Sequence, residues 1–120
     1  MPVRGSTNLQ LRTLIRFLRK ASSMYKASIW KYVAELLEKP RRQRIAVNLG
    51  KINRLVNDGD QVVVPGKVLA AGIIDKKITI AAWRFSKSAI EKALRSGCEV
   101  VTIPELVRRN PKGSNVKIVV

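Results

Sequence analysis

At Asn57-Asp58-Gly59-Asp60 the sequence changes character, and that change constrains the fold more than any other feature. Before it, apolar residues recur with the spacing of helix faces; after it, they gather in short β-branched runs. Leu11, Leu14, Ile15 and Leu18 fall at i, i+3, i+4 and i+7, so a first helix capped by Thr7 or Asn8 is expected, behind a short basic arm (1–6) that is mobile or ordered by a partner. Ser28 is placed to cap a second helix in which Trp30, Val33, Ala34 and Leu37 share a face, and Pro40 marks its end. A short strand at Ile45–Val47 and a helix from about Asn48 follow, with Leu49, Ile52, Leu55 and Val56 inward and Lys51 and Arg54 outward.

Beyond the turn, Val62–Val64 and Lys67–Ala70 read as two extended segments joined at Pro65-Gly66 in a type II turn. Ile78–Phe85 is a mainly apolar run, expected as a strand covered on both faces. Ser86 or Ser88 caps the next helix, Ser88 and Glu91 having capping-box spacing, with Ile90, Ala93 and Leu94 toward the core and Gly97 as the stop. Residues 98–101 form a further strand, Thr102 and Glu105 open a short helix by the same box, and Asn110-Pro111 ends it. A basic loop and an edge strand at Ile118–Val120 complete the chain. Strands alternating with short helices after a helical start define an α/β fold, a single domain over residues 7–120.

Charge narrows the function. Residues 1–57 hold 13 Lys or Arg against two acids, Glu35 and Glu38, and the whole chain carries a net +16. Such a field favours a polyanion, nucleic acid or acidic membrane, over a small acidic substrate, which needs only a local basic pocket. A membrane-bound first helix would have to free the apolar face that a 120-residue domain needs for its core, so nucleic acid is favoured. No apolar run approaches a bilayer span, and the start MPVRGSTNLQ lacks the apolar core of a secretory signal, which points to the cytosol.

The absence of histidine removes the commonest general base and metal ligand. Asp58 and Asp60 are the one close acidic pair, and their place around Gly59 favours a turn over magnesium. No phosphate-cradling glycine motif is present, so no cofactor and no small-molecule substrate is expected. Cys98 cannot form an internal disulfide and reads as a small buried residue rather than a reactive thiol. At 5% aromatic content there is little basis for a base-stacking platform, so recognition of folded RNA by backbone and shape is expected. Trp30 and Trp83 are assigned to packing, with base stacking by Trp30 as the alternative.

The segment KPRRQRIAVNLGKINR, residues 39–54, resembles the signature of the archaeal and eukaryotic large-subunit ribosomal protein family eighteen-e, related to bacterial large-subunit protein fifteen. The resemblance continues through Val64-Pro65-Gly66-Lys67-Val68-Leu69, Ile80-Ala81-Ala82, Phe85-Ser86, Thr102-Ile103 and Asn110-Pro111-Lys112-Gly113-Ser114, and covers essentially all of residues 7–120. It implies an N-terminal helical region followed by irregular repeating strand-strand-helix turns, and a structural role on large-subunit ribosomal RNA beside neighbouring ribosomal proteins in the cytoplasm. The short length resembles archaeal members more than eukaryotic ones.

The motif segments carry an RNA-facing role onto Arg41, Arg42, Arg44, Lys51, Arg54, Lys67 and Lys112, with Lys39 at the head of the same basic run. Arg12, Arg16, Arg19 and Lys20 join them on charge alone: they share a side of the first helix, and the acids that normally pair with an exposed basic stripe are missing. For that stripe the alternative is a solvated face, and for Lys67 a solvated strand position. Two other classes stay open: a free-standing nucleic-acid binder of RNA-chaperone or chromatin type, and a small hydrolase or nuclease, against which the low acid count speaks.

Overall fold

The middle strand is an apolar run, Val62-Val63-Val64, and a run apolar on every residue is stable only where both faces of a sheet are covered. That is where the computed structural model places it. Residues 2–40 and 45–120 are described, with side chains of the first helix from Gln10 onward. In chain order the elements are α1 (Pro2–Tyr25), α2 (Ser28–Leu37), β1 (Ile45–Asn48), α3 (Leu49–Leu55), β2 (Gln61–Leu69), β3 (Thr79–Phe85), α4 (Lys87–Arg95), β4 (Glu99–Thr102), α5 (Ile103–Arg109) and β5 (Val116–Ile118).

Every strand pair among the described residues is parallel. β2 is central: β3 lies along one edge with β4 beyond it, and the other edge is shared by two short strands. β5 pairs with Gln61–Val63 and β1 with Gly66–Leu69. Alternation along the strands then divides the core in two. Val62, Val64, Val68, Ile80 and Ala82 pack with Leu49 and Ile52 of α3 and Ala89 and Ala93 of α4. Val63 and Ala81 pack on the opposite side with Leu18, Trp30, Val33 and Leu106 from α1, α2 and α5. The result is a three-layer α/β domain.

Trp30 is fully buried, and its indole Nε1–H donates to the carbonyl oxygen of Pro111 at 2.7 Å. Its packing role stands. The Asp58 and Asp60 carboxylates close the turn: Asp58 Oδ1 accepts from the Lys77 backbone N–H, and Asp60 Oδ2 from that of Asn57. Cys98 is buried, with Sγ donating to the Lys76 carbonyl. Thr102 caps α5 by accepting from Glu105 N–H, as the box spacing implies.

Several expectations are corrected. α1 begins at Pro2, so the helix includes the backbone of residues 2–6 and neither Thr7 nor Asn8 caps it. Ala27, not Ser28, occupies the N-cap of α2, with no side-chain cap bond. Ser86 caps α4 by accepting from Ala89 N–H, and Ser88 lies inside the helix. Leu55 and Leu94 are exposed. α3 ends at Leu55 and the chain becomes extended at Val56, which turns inward in its place. α4 meets the sheet through Ala89 and Ala93, and so narrow a stripe of small residues leaves Leu94 outside.

The largest correction concerns Pro65-Gly66. No type II turn forms; the nine residues of β2 are one strand, with a register shift between Val64 and Lys67. Two residues of β2 oppose one of β3 there, which is a bulge. Gly66 does not adopt positive φ. Its requirement is space, because β1 crosses closely at this point. The last strand is Val116–Ile118 rather than Ile118–Val120, and it is an edge strand, paired with β2 alone.

Candidate nucleic-acid interface

Burial of Leu11, Leu14 and Leu18 fixes the rotation of α1 and leaves Arg12, Arg16, Arg19 and Lys20 exposed. The carboxyl end of α2 packs alongside, and Arg12, Arg16 and Arg19 come together with Lys39 around a groove of about 530 Å³ floored by Leu11, Ile15 and Leu37. One acid enters it. Glu38 Oε1 accepts from Arg19 Nη2 at 2.5 Å, with both side chains nearly half exposed. A pair so exposed is worth roughly 0–1 kcal/mol, so a phosphate can displace it at little cost. Arg12, Arg16, Lys20 and Lys39 make no ion pair among the described residues. Lys20 is exposed on α1 but does not line the groove.

The remaining residues singled out from sequence are scattered. Arg54 and Lys67 are exposed and without an ion-pair partner among the described residues. Lys51 Nζ donates to the Val120 carbonyl at 2.5 Å, and Lys112 Nζ to that of Tyr25 at 3.3 Å, at the last residue of α1. Each spends one of three N–H donors internally and keeps two for an outside acceptor. Arg41, Arg42 and Arg44 lie outside the described residues.

Several cations of the second half are used at home. Lys76 Nζ donates to the carbonyls of Asn53 and Val56, and Lys92 Nζ to those of Ala70 and Gly72. Lys117 pairs with Asp60 at 2.9 Å, and Arg109 with Glu99 at 2.7 Å and Glu105 at 3.0 Å. The Asn57 N–H and then Lys117 hold the Asp60 carboxyl below its ordinary pKa, and Arg109 does the same for Glu99. Asp60, Glu99 and Glu105, which would otherwise repel a phosphate, are thus paired within the second half. Among the described residues, α1 and the end of α2 bring together Arg12, Arg16, Lys20 and Lys39, none of them in an ion pair.

Arg84 escaped sequence reasoning. It is exposed on β3, stands opposite Lys67 in register, and sets its guanidinium 5.0 Å from the centre of the Trp83 ring. The available signal was one charged residue inside an otherwise apolar strand.

Three α/β layers, a cluster of mostly unpaired cations on a helix pair, and the Asp60, Glu99 and Glu105 carboxylates already engaged by basic partners define a polyanion-binding protein of the α/β class. The chain belongs to the family described as ribosomal protein 60S L18 and 50S L18e, whose model matches residues 3–120. It is 59% identical to the large ribosomal subunit protein eL18 of Pyrobaculum aerophilum over 97% of this chain and 95% of that one. It is 48% identical to the protein of the same name from Methanopyrus kandleri, over 96% and 94% of the two chains, and 47% identical to that of Methanothermobacter thermautotrophicus, over 94% and 93%. The resemblance read from residues 39–54 and the motifs beyond them is borne out, including its archaeal character.

Proposed function

We infer that this chain is a structural constituent of the large ribosomal subunit, held on folded ribosomal RNA by its basic surface. Its membership, over nearly its whole length, in a family of large-subunit ribosomal proteins carries the reading. The charge distribution supplies the physical cause. Phosphates bind where fixed cations have no internal partner, and Arg offers them two parallel N–H donors in one plane. Arg12, Arg16, Arg19, Lys20 and Lys39 form the main contact, and Arg54 and Lys67 add separate exposed cations elsewhere on the surface. Lys51 and Lys112 contribute through the donors they keep, and Arg41, Arg42 and Arg44 join them on the strength of the family motif they belong to. Neighbouring ribosomal proteins complete the setting, in the cytoplasm, and neither a membrane nor a small-molecule substrate enters this role.

Sedimentation tests the assignment. After a high-salt wash, the tagged chain should stay with isolated large subunits, and density for it should be found within them. Release to the top of the gradient with retained RNA affinity would favour a free-standing nucleic-acid binder instead.

A further inference from the structure

A second groove runs along the carboxyl ends of β3 and β4, away from the helix-pair groove. At one end it opens between Lys67 and Arg84; at the other it passes between α1 and α5 and ends at Arg108. Ala82, Trp83 and Thr102 line both sections, so the two adjoin at these residues, and Phe17 and Pro104 add to an apolar floor.

Three properties of this groove go unused by the fold. Lys67 and Arg84 are register partners on adjacent strands, and like charges so placed destabilise a sheet unless something anionic lies across them. Among the described residues, no acid lines either section. Arg84 rests on the Trp83 ring, and Arg108 touches an acid only loosely, at 3.5 Å from Glu105. Trp83 also differs from Trp30. Its indole N–H is buried and meets no acceptor among the described residues, and its ring is only half-buried on a groove floor. A buried tryptophan normally anchors its N–H, as Trp30 does to Pro111.

We propose that this groove takes about one or two unpaired RNA nucleotides, with phosphates on Lys67 and Arg84 and a base against Trp83. A lining whose only charges among the described residues are positive, around an aromatic floor, matches a nucleotide, which is anionic at one end and a π face at the other. A basic protein segment would be repelled by that lining. The inference rests on the ribosomal reading and deepens it by adding a single-strand contact to the backbone contact of the helix groove. It also revises the expectation that the chain has no stacking platform: aromatics are few, but the fold brings Phe17 and Trp83 to one groove.

The test compares a short oligoadenylate with a blunt RNA hairpin, using the free protein. Oligoadenylate should quench tryptophan fluorescence, and Arg84→Ala and Trp83→Leu should each weaken its binding at least about fivefold, as expected for losing a phosphate contact or a stacked base. Hairpin affinity should change little in both variants, and Trp83→Phe should retain most of the oligoadenylate binding. Thermal melting checks that each variant is folded; if Trp83→Leu is not, Arg84→Ala carries the comparison. Unchanged oligoadenylate binding in Arg84→Ala overturns the groove while leaving the basic-surface reading intact. Failure of the wild-type protein to bind either RNA overturns both. In reconstituted large subunits, a photoreactive residue in place of Ile90, which lines the groove and makes no proposed contact, should crosslink to RNA, and crosslinking only to protein overturns the proposal.

Discussion

A methyl group on Gly66 would lie 2.1 Å from the carbonyl oxygen of Ile45. Gly66 and Ile45 are register partners on β2 and β1, so the close approach is built into the sheet at the bulge. Ile45 is backbone at that point and cannot swing aside as a flexible side chain would. Gly66→Ala should therefore destabilise the free domain by about 1–3 kcal/mol or more through overpacking. Denaturant unfolding measures it, and hydrogen exchange should quicken first in β1. An unchanged midpoint would mean that β1 can move off β2 without loss.

Trp30 joins α2 to the segment after α5 through its hydrogen bond to Pro111. Trp30→Ala removes a fully buried side chain and should cost about 3–5 kcal/mol. Trp30→Phe keeps much of the volume but leaves the Pro111 carbonyl without its donor, at a cost of about 1–3 kcal/mol. Melting of the two variants should rank Ala below Phe and Phe below wild type. Equal stability of Phe and wild type would show that water replaces the indole N–H.

Salt dependence reports the phosphate contacts. Each cation that meets a phosphate adds roughly 0.7 to 0.9 to the slope of log affinity against log salt. Arg12→Ala and Arg16→Ala together should lower that slope for a structured RNA by nearly two such increments while sparing the melting temperature, because neither residue makes an internal ion pair among the described residues. Arg19→Ala should lower it less, since binding must first displace Glu38. A slope that does not move in the double variant would mark this side of α1 as merely solvated.

Acid should destabilise the fold in a narrow window. The pKa values of Asp60 and Glu99 are lowered in the folded protein, so both groups release their protons more readily there than in the unfolded chain. Their contribution is complete above the unfolded values and is lost as pH falls through the folded ones, below about pH 4. With no histidine to titrate, melting temperature should be nearly flat from about pH 5 to 8 and should fall below that range. Asp60→Asn should lower stability at neutral pH and blunt the acid response.

Local physics was legible from the sequence. The face of α1 could be read because Leu11, Leu14 and Leu18 repeat within one helix, and the cap of α5 because Thr102 and Glu105 act within one turn. The apolar run Ile78–Phe85 announced a strand covered on both faces, and Ile80, Ala81 and Ala82 are buried between the two halves of the core. Net charge and its concentration before Asn57 pointed to a polyanion without any coordinates. What only the tertiary structure decided depends on partners distant in sequence. Lys51 and Lys112 look as free as Arg12 until the fold brings them to the carbonyls of Val120 and Tyr25. Pro65-Gly66 carries a turn signature, yet two flanking strands impose an extended path, and the glycine serves the neighbouring backbone instead of its own φ. The Lys67 and Arg84 pair exists only through register, because the bulge decides which residue of β2 stands beside which residue of β3. Helix faces and caps are set by neighbours a few residues away. Register, and with it the use of each cation, is set by the packing of the whole sheet.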